Sequence, residues 1–99
     1  MKVLIIEDEE RAARQLQKLL EDVGFSFELL GVLDTVVEAT SWFKSQPTPD
    51  LVFMDIQLAD GISFEIFENI HVTAPIIFTT AFDAYAIQAF FSGIAVKTS

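Results

Sequence analysis

An α/β fold built on a parallel sheet with helices on both faces is what this sequence predicts. Three observations carry that prediction. Val3-Leu4-Ile5-Ile6, Leu51-Val52-Phe53-Met54 and Ile76-Ile77-Phe78 are apolar runs of strand length. Their apolarity is continuous rather than alternating, the mark of strands buried on both faces. The segments between them have helical periodicity, and such strand–helix alternation calls for right-handed crossovers and parallel strands. Finally, polar residues collect where the runs end: Glu7-Asp8-Glu9 after the first, Asp55 after the second, Thr79-Thr80 after the third. In open parallel sheets the ligand crevice forms beyond the carboxyl ends of the strands.

Each element has its own justification. After the first strand, Glu10 to Val23 places Ala12, Ala13, Leu16, Leu19, Leu20 and Val23 on one helical face, with Arg11, Arg14, Gln15, Lys18 and Glu21 opposite. Gly24 stops that helix. Phe25 to Leu33 reads as a second strand, and its more alternating pattern suits a sheet edge. Thr35 and Glu38 have capping-box spacing for a second helix ending near Lys44. Gln46-Pro47-Thr48-Pro49 cannot continue it. The third strand spans Leu51 to Asp55, and Gly61 punctuates the loop behind it. Ile62, Ile66, Phe67 and Ile70 predict a third helix. Pro75 opens a fourth strand, and Asp83 can cap a fourth helix running through Phe91. Phe64, Phe67, Phe78, Phe82, Phe90, Phe91 and Trp42 read mostly as core, with Tyr85, Phe90 and Phe91 also able to face a partner.

Three strand ends bring Glu7, Asp8, Asp55 and Thr80 toward one crevice. Crowded carboxylates repel one another, which raises a pKa or recruits a cation. An all-oxygen set suits Mg²⁺. A lone Asp after a strand usually caps a loop, but the paired acids on the first strand weigh toward chemistry at Asp55. Glu9 and Glu10 serve the first turn of a helix, whose dipole end is positive. An EF-hand reading of Asp55 to Gly61 fails, because Gln57 and Ala59 break the ligand pattern.

Leu4-Ile5-Ile6-Glu7-Asp8-Glu9, Asp50-Leu51-Val52-Phe53-Met54-Asp55 and Ile76-Ile77-Phe78-Thr79-Thr80-Ala81, in this order, resemble the phosphoacceptor receiver domain of bacterial two-component response regulators. Asp55-Ile56-Gln57-Leu58-Ala59-Asp60-Gly61 and Ala81-Phe82-Asp83-Ala84-Tyr85-Ala86 are similar to the subgroup whose receivers precede a LytTR-type DNA-binding domain. The resemblance implies a flavodoxin-like sheet of strand order 2-1-3-4(-5), an order already known for receivers. It also implies a set of roles. Asp55 would be the phosphorylation site. Asp8 and Asp55 would ligate Mg²⁺ directly, Glu7 directly or through water, and the Gln57 carbonyl would add a ligand. Thr80 would be the switch hydroxyl. A sensor histidine kinase would be the phosphodonor partner, a DNA-binding output domain outside this chain the recipient of the signal, and the cytoplasm the location.

The likeness spans about residues 1–91, and 92–99 diverge. Receivers carry a fifth strand, a Lys-Pro pair and a fifth helix. Here Ile94-Ala95-Val96-Lys97 is the candidate fifth strand, with Lys97 as a phosphate contact, and no fifth helix is expected. A fourth strand left as an Ile- and Phe-rich edge, with one sheet face short of cover, leads to the expectation of a homodimer.

Composition narrows the options. Ninety-nine residues make one small domain, here 1–99 as a single receiver. A net charge of −9 argues against direct nucleic-acid binding, which needs clustered Lys and Arg. The absence of cysteine excludes disulfides and thiolate metal sites. No apolar run reaches the length of a membrane-spanning helix. Functionally, a signalling switch that catalyses only its own phosphorylation leads. A degenerate receiver acting as a protein-interaction module is the alternative. A small Mg²⁺-dependent phosphatase comes third, for want of insertions that would build a substrate pocket.

Overall fold

The structure, a computed structural model, describes residues 1–79. Thr80, the helix expected from Asp83 to Phe91, and the strand expected at Ile94–Lys97 lie outside the described residues.

The first strand, β1 (Lys2–Ile6), carries Val3, Leu4, Ile5 and Ile6 with no exposed surface at all. Alternate side chains of a strand point to opposite faces, so this one strand feeds two cores. Val3 and Ile5 pack with Ala13, Phe53, Leu16 and Leu20 on one side. Leu4 and Ile6 pack with Val36, Ala39, Val52, Met54 and Ile66 on the other. The neighbouring strands are β2 (Glu28–Leu33), β3 (Leu51–Met54) and, further along the chain, β6 (Ile76–Phe78). Among the described residues they form a four-stranded parallel sheet of order β2-β1-β3-β6, with Ile6 beside both Leu33 and Met54. This is the expected 2-1-3-4 order, with β2 at an edge.

Helix α1 (Glu10–Asp22) covers the Val3–Ile5 face. It ends in a Schellman motif: Gly24, at φ +79°, donates to the Glu21 carbonyl, and Phe25 donates to that of Leu20. That motif shortens the expected second strand. Phe25 spends its amide on the helix end, and strand pairing begins at Glu28. Phe25 and Phe27 stack 5.8 Å apart and pack under α1 instead. Leu19 and Val23, expected on the buried face, are 57% and 67% exposed. Ala13, Leu16 and Leu20 point at the sheet, and Leu19 is a quarter turn or so away.

Helix α2 (Val36–Ser45) lies on the opposite face, with Thr35 accepting from the Glu38 amide as the spacing predicted. The third helix departs most from expectation. Gln57–Leu58 (β4) and Gly61–Ile62 (β5) pair antiparallel as a small hairpin, followed by a 3₁₀ turn at Ser63–Glu65. Only Ile66–Asn69 is α-helical (α3). Gly61 has φ +153°, a conformation open to glycine, and Ile62 faces outward at 43% exposure rather than joining a helical stripe.

Candidate functional site

Parallel pairing continues by one residue past each strand and so aligns the strand ends. The Asp55 amide donates to the Ile6 carbonyl at 2.8 Å, the Glu7 amide to that of Leu33 at 2.8 Å, and the Thr79 amide to that of Met54 at 3.0 Å. Glu7, Asp8 and Asp55 are thereby gathered at one end of the sheet. One carboxylate oxygen from each can be chosen such that all lie within 4.8 Å of one another. Glu7 is buried, Asp55 half-buried and Asp8 exposed, so the cluster grades from the protein interior to solvent.

Burial pushes the Glu7 carboxyl up to about 7. The Glu9 amide, donating to Glu7 Oε2 at 3.1 Å, opposes that rise, while the charge of Asp55, a hydrogen bond with it and the charge of Asp8 add to it. A carboxyl in this position either keeps its proton near neutral pH or accepts a cation beside it. The donor set is three carboxylates on a rigid strand frame, which fits a hard oxygen-preferring ion such as Mg²⁺. Alongside lies an open groove of about 490 Å³ bounded by Glu7, Asp8, Arg14, Asp34 and Glu38.

Gln57 stands two positions beyond Asp55 and pairs with Ile62. Thr79, the last described residue, is half-buried next to the end of β3. Thr80 and Lys97 lie outside the described residues. Among the described residues no helix is long and apolar enough to cross a membrane.

The family model of the response regulator receiver domain matches residues 3–96. The chain belongs to the receiver-domain family. Among curated relatives, the sensory transduction protein LytT of Bacillus cereus is 41% identical over 93 residues, which cover 91% of this chain and 37% of the relative. The transcriptional regulatory protein LytR of Staphylococcus aureus is 36% identical, again over 91% of this chain and 37% of its own length. This receiver therefore spans under two-fifths of the curated relatives it matches. Among solved structures, the response regulatory domain of mrkE from Klebsiella pneumoniae superimposes with a TM-score of 0.74 at 27% identity, covering 91% of this chain and 75% of that one. The two-component, LytT/LytR-like character expected from the motifs is thus borne out, as is the flavodoxin-like architecture. Receivers are signalling domains rather than turnover enzymes.

One residue of this receiver had no role assigned from sequence. The Asp60 carboxylate reaches across to α2, with Oδ1 accepting from the Val36 amide at 2.6 Å and Oδ2 from the Val37 amide at 3.2 Å. These bonds hold its pKa below the ordinary aspartate value. Asp60-Gly61 reads in the sequence only as a turn dipeptide.

Proposed function

We propose that this receiver accepts a phosphoryl group on Asp55 from a histidine kinase and relays the event to a transcriptional output domain. The gathering of Glu7, Asp8 and Asp55 at the strand ends is the observation that supports this reading. An Asp55 carboxylate oxygen attacks phosphorus, forming a P–O bond as the P–N bond to the donor imidazole breaks and that nitrogen takes up a proton. Catalysis of this step is mainly alignment and charge neutralisation. Glu7, Asp8, Asp55 and the Gln57 carbonyl would hold Mg²⁺, which when bound neutralises charge on the phosphoryl oxygens. The β1–β3 pairing aligns the acceptor. Thr80 is the proposed switch hydroxyl and Lys97 a proposed phosphate contact.

In this reading residues 1–99 act as one receiver domain in the cytoplasm, and any DNA contact belongs to another domain. Self-association belongs to the same proposal: among the described residues β6 ends the sheet, with Ile77 exposed. Light scattering over a dilution series tests it, and one monomeric mass throughout would count against it.

The central test is incubation with acetyl phosphate and Mg²⁺ followed by intact-mass measurement. A single phosphoryl adduct that disappears in Asp55→Asn is expected. No adduct would favour a receiver that acts only as an interaction module, and continuous phosphate release from small esters would favour a phosphatase.

A further inference from the structure

The amino end of α2 is capped by a carboxylate from a distant part of the chain. A helix leaves its first amides without internal partners. Here Thr35 Oγ1 satisfies the Glu38 amide, and Asp60 takes those of Val36 and Val37. The Ala59 amide also donates to the Asp34 carbonyl at 3.4 Å. Asp60 sits at the tip of the β4–β5 hairpin, which starts two residues after Asp55. The hairpin's base is closed by the Ser63 amide donating to the Ile56 carbonyl at 2.8 Å. The Asp34 turn is in turn tied to the acid cluster, since Glu7 donates to the carbonyl of the preceding Leu33.

The three loops that surround the acids thus form one closed circuit. Glu7 bonds to Leu33, Asp60 bonds to Val36 and Val37, and Asp55 bonds to Ile6. We propose that Asp60 is a positioning residue, whose bidentate cap on α2 holds the Asp55–Gly61 loop in the geometry that presents Asp55 and the Gln57 carbonyl to a cation. This rests on the proposed function. The hairpin is short, with four paired residues. Leu58 is buried in the core that α2 also covers, whereas Gln57, Ala59 and Asp60 are exposed. Apolar burial thus anchors one side chain of the hairpin and leaves the orientation of its tip to hydrogen bonds. The cap ties the exposed end of that tip directly to the first turn of α2. Energetic coupling between two sites is reciprocal. A cation that orders the loop must then strengthen the cap, and loss of the cap must weaken the cation.

The test uses Mg²⁺ alone on the whole chain, with amide exchange and Mg²⁺ titration followed by NMR. In the unsubstituted chain, Mg²⁺ should slow exchange at Val36 and Val37, residues that do not belong to the acid cluster. Asp60→Ala should raise the Mg²⁺ Kd on the order of tenfold, the lower end of the usual cost of losing a ligand's supporting contact. Asp60→Asn, which keeps one acceptor oxygen for the shorter bond to Val36, should recover part of the affinity. An Asp60→Ala chain that is less stable but binds Mg²⁺ within twofold of the original would overturn the proposal and leave the proposed function standing. So would unchanged Val36 and Val37 exchange on Mg²⁺ binding, a measurement that needs no variant to fold. Failure of the unsubstituted chain to bind Mg²⁺ would overturn both.

Discussion

The Asp55 amide donates to the Ile6 carbonyl at 2.8 Å, one step past the last paired residues of β1 and β3. That bond makes the acid after β3 a neighbour of the acid after β1. Glu7 and Asp55 therefore face each other for a reason of sheet register, and the electrostatic strain between them is built into the strand pairing.

The first prediction concerns pH. Glu7 has its folded-state pKa raised from 4.5 to about 7, chiefly by burial. Between those values the folded chain holds a proton that the unfolded chain has released, so stability falls as pH rises. This contribution is fully present below about 4.5 and is lost as pH passes through about 7. Denaturant titrations without divalent cations at pH 5, 6, 7 and 8 should show the decline, superimposed on other titrations. In Glu7→Gln the decline over this window should be reduced, and an identical slope in both chains would remove the assignment.

Mg²⁺ should reverse part of that decline at neutral pH, because a cation binding only the folded chain stabilises it by mass action. Asp8→Asn removes a ligand and much of the local attraction, so the expected loss of Mg²⁺ affinity is at least about tenfold. Titration followed by fluorescence or NMR measures it. Unchanged affinity would exclude Asp8 from the ligand set.

Two leucines separate periodicity from burial. Leu4 is completely buried between β2 and β3, and Leu4→Ala should cost about 3 kcal/mol through lost transfer energy and a residual cavity. Leu19 is 57% exposed, and Leu19→Ala should change stability by no more than about 0.5 kcal/mol. Urea midpoints decide both. A large effect at Leu19 would mean that something covers that side of α1.

Gly61→Ala should destabilise the chain by about 1–3 kcal/mol, because φ +153° is a region that other residues occupy only under strain. An added Cβ would also come 3.1 Å from a Glu65 carboxylate oxygen. The side chain of Glu65 can move aside, whereas the backbone strain remains. Gly61→Ala combined with Glu65→Ala should therefore recover only part of the loss in a thermal melt.

The four parallel strands in their order, the first two helices and the residues of the acid cluster were legible in the sequence. Continuous apolar runs can be satisfied only by burial on both faces, and acids at the ends of such runs are carried to the same edge of a parallel sheet. The capping box at Thr35 was equally local and equally readable. Where the chain made its choice through distant partners, local pattern misled. Ile62 has helical spacing with Ile66, yet it pairs with Gln57 in a hairpin. Phe25 has a strand-like residue type, yet its amide completes the end of α1. Leu19 shares an apolar stripe with Leu16 and Leu20, but only Leu16 and Leu20 pack against the sheet and Leu19 is turned about 100° from Leu20 on the helix. Asp60 shows the limit best. Its neighbours in sequence announce a turn and nothing more, while its hydrogen bonds go to amides 24 and 23 positions away. Sequence by itself determined which strands form the buried centre of the sheet and which acids must meet, since those follow from continuous apolar runs and chain direction. Tertiary structure alone decided which loop caps which helix, because a carboxylate finds unpaired amides through space and leaves no periodic trace.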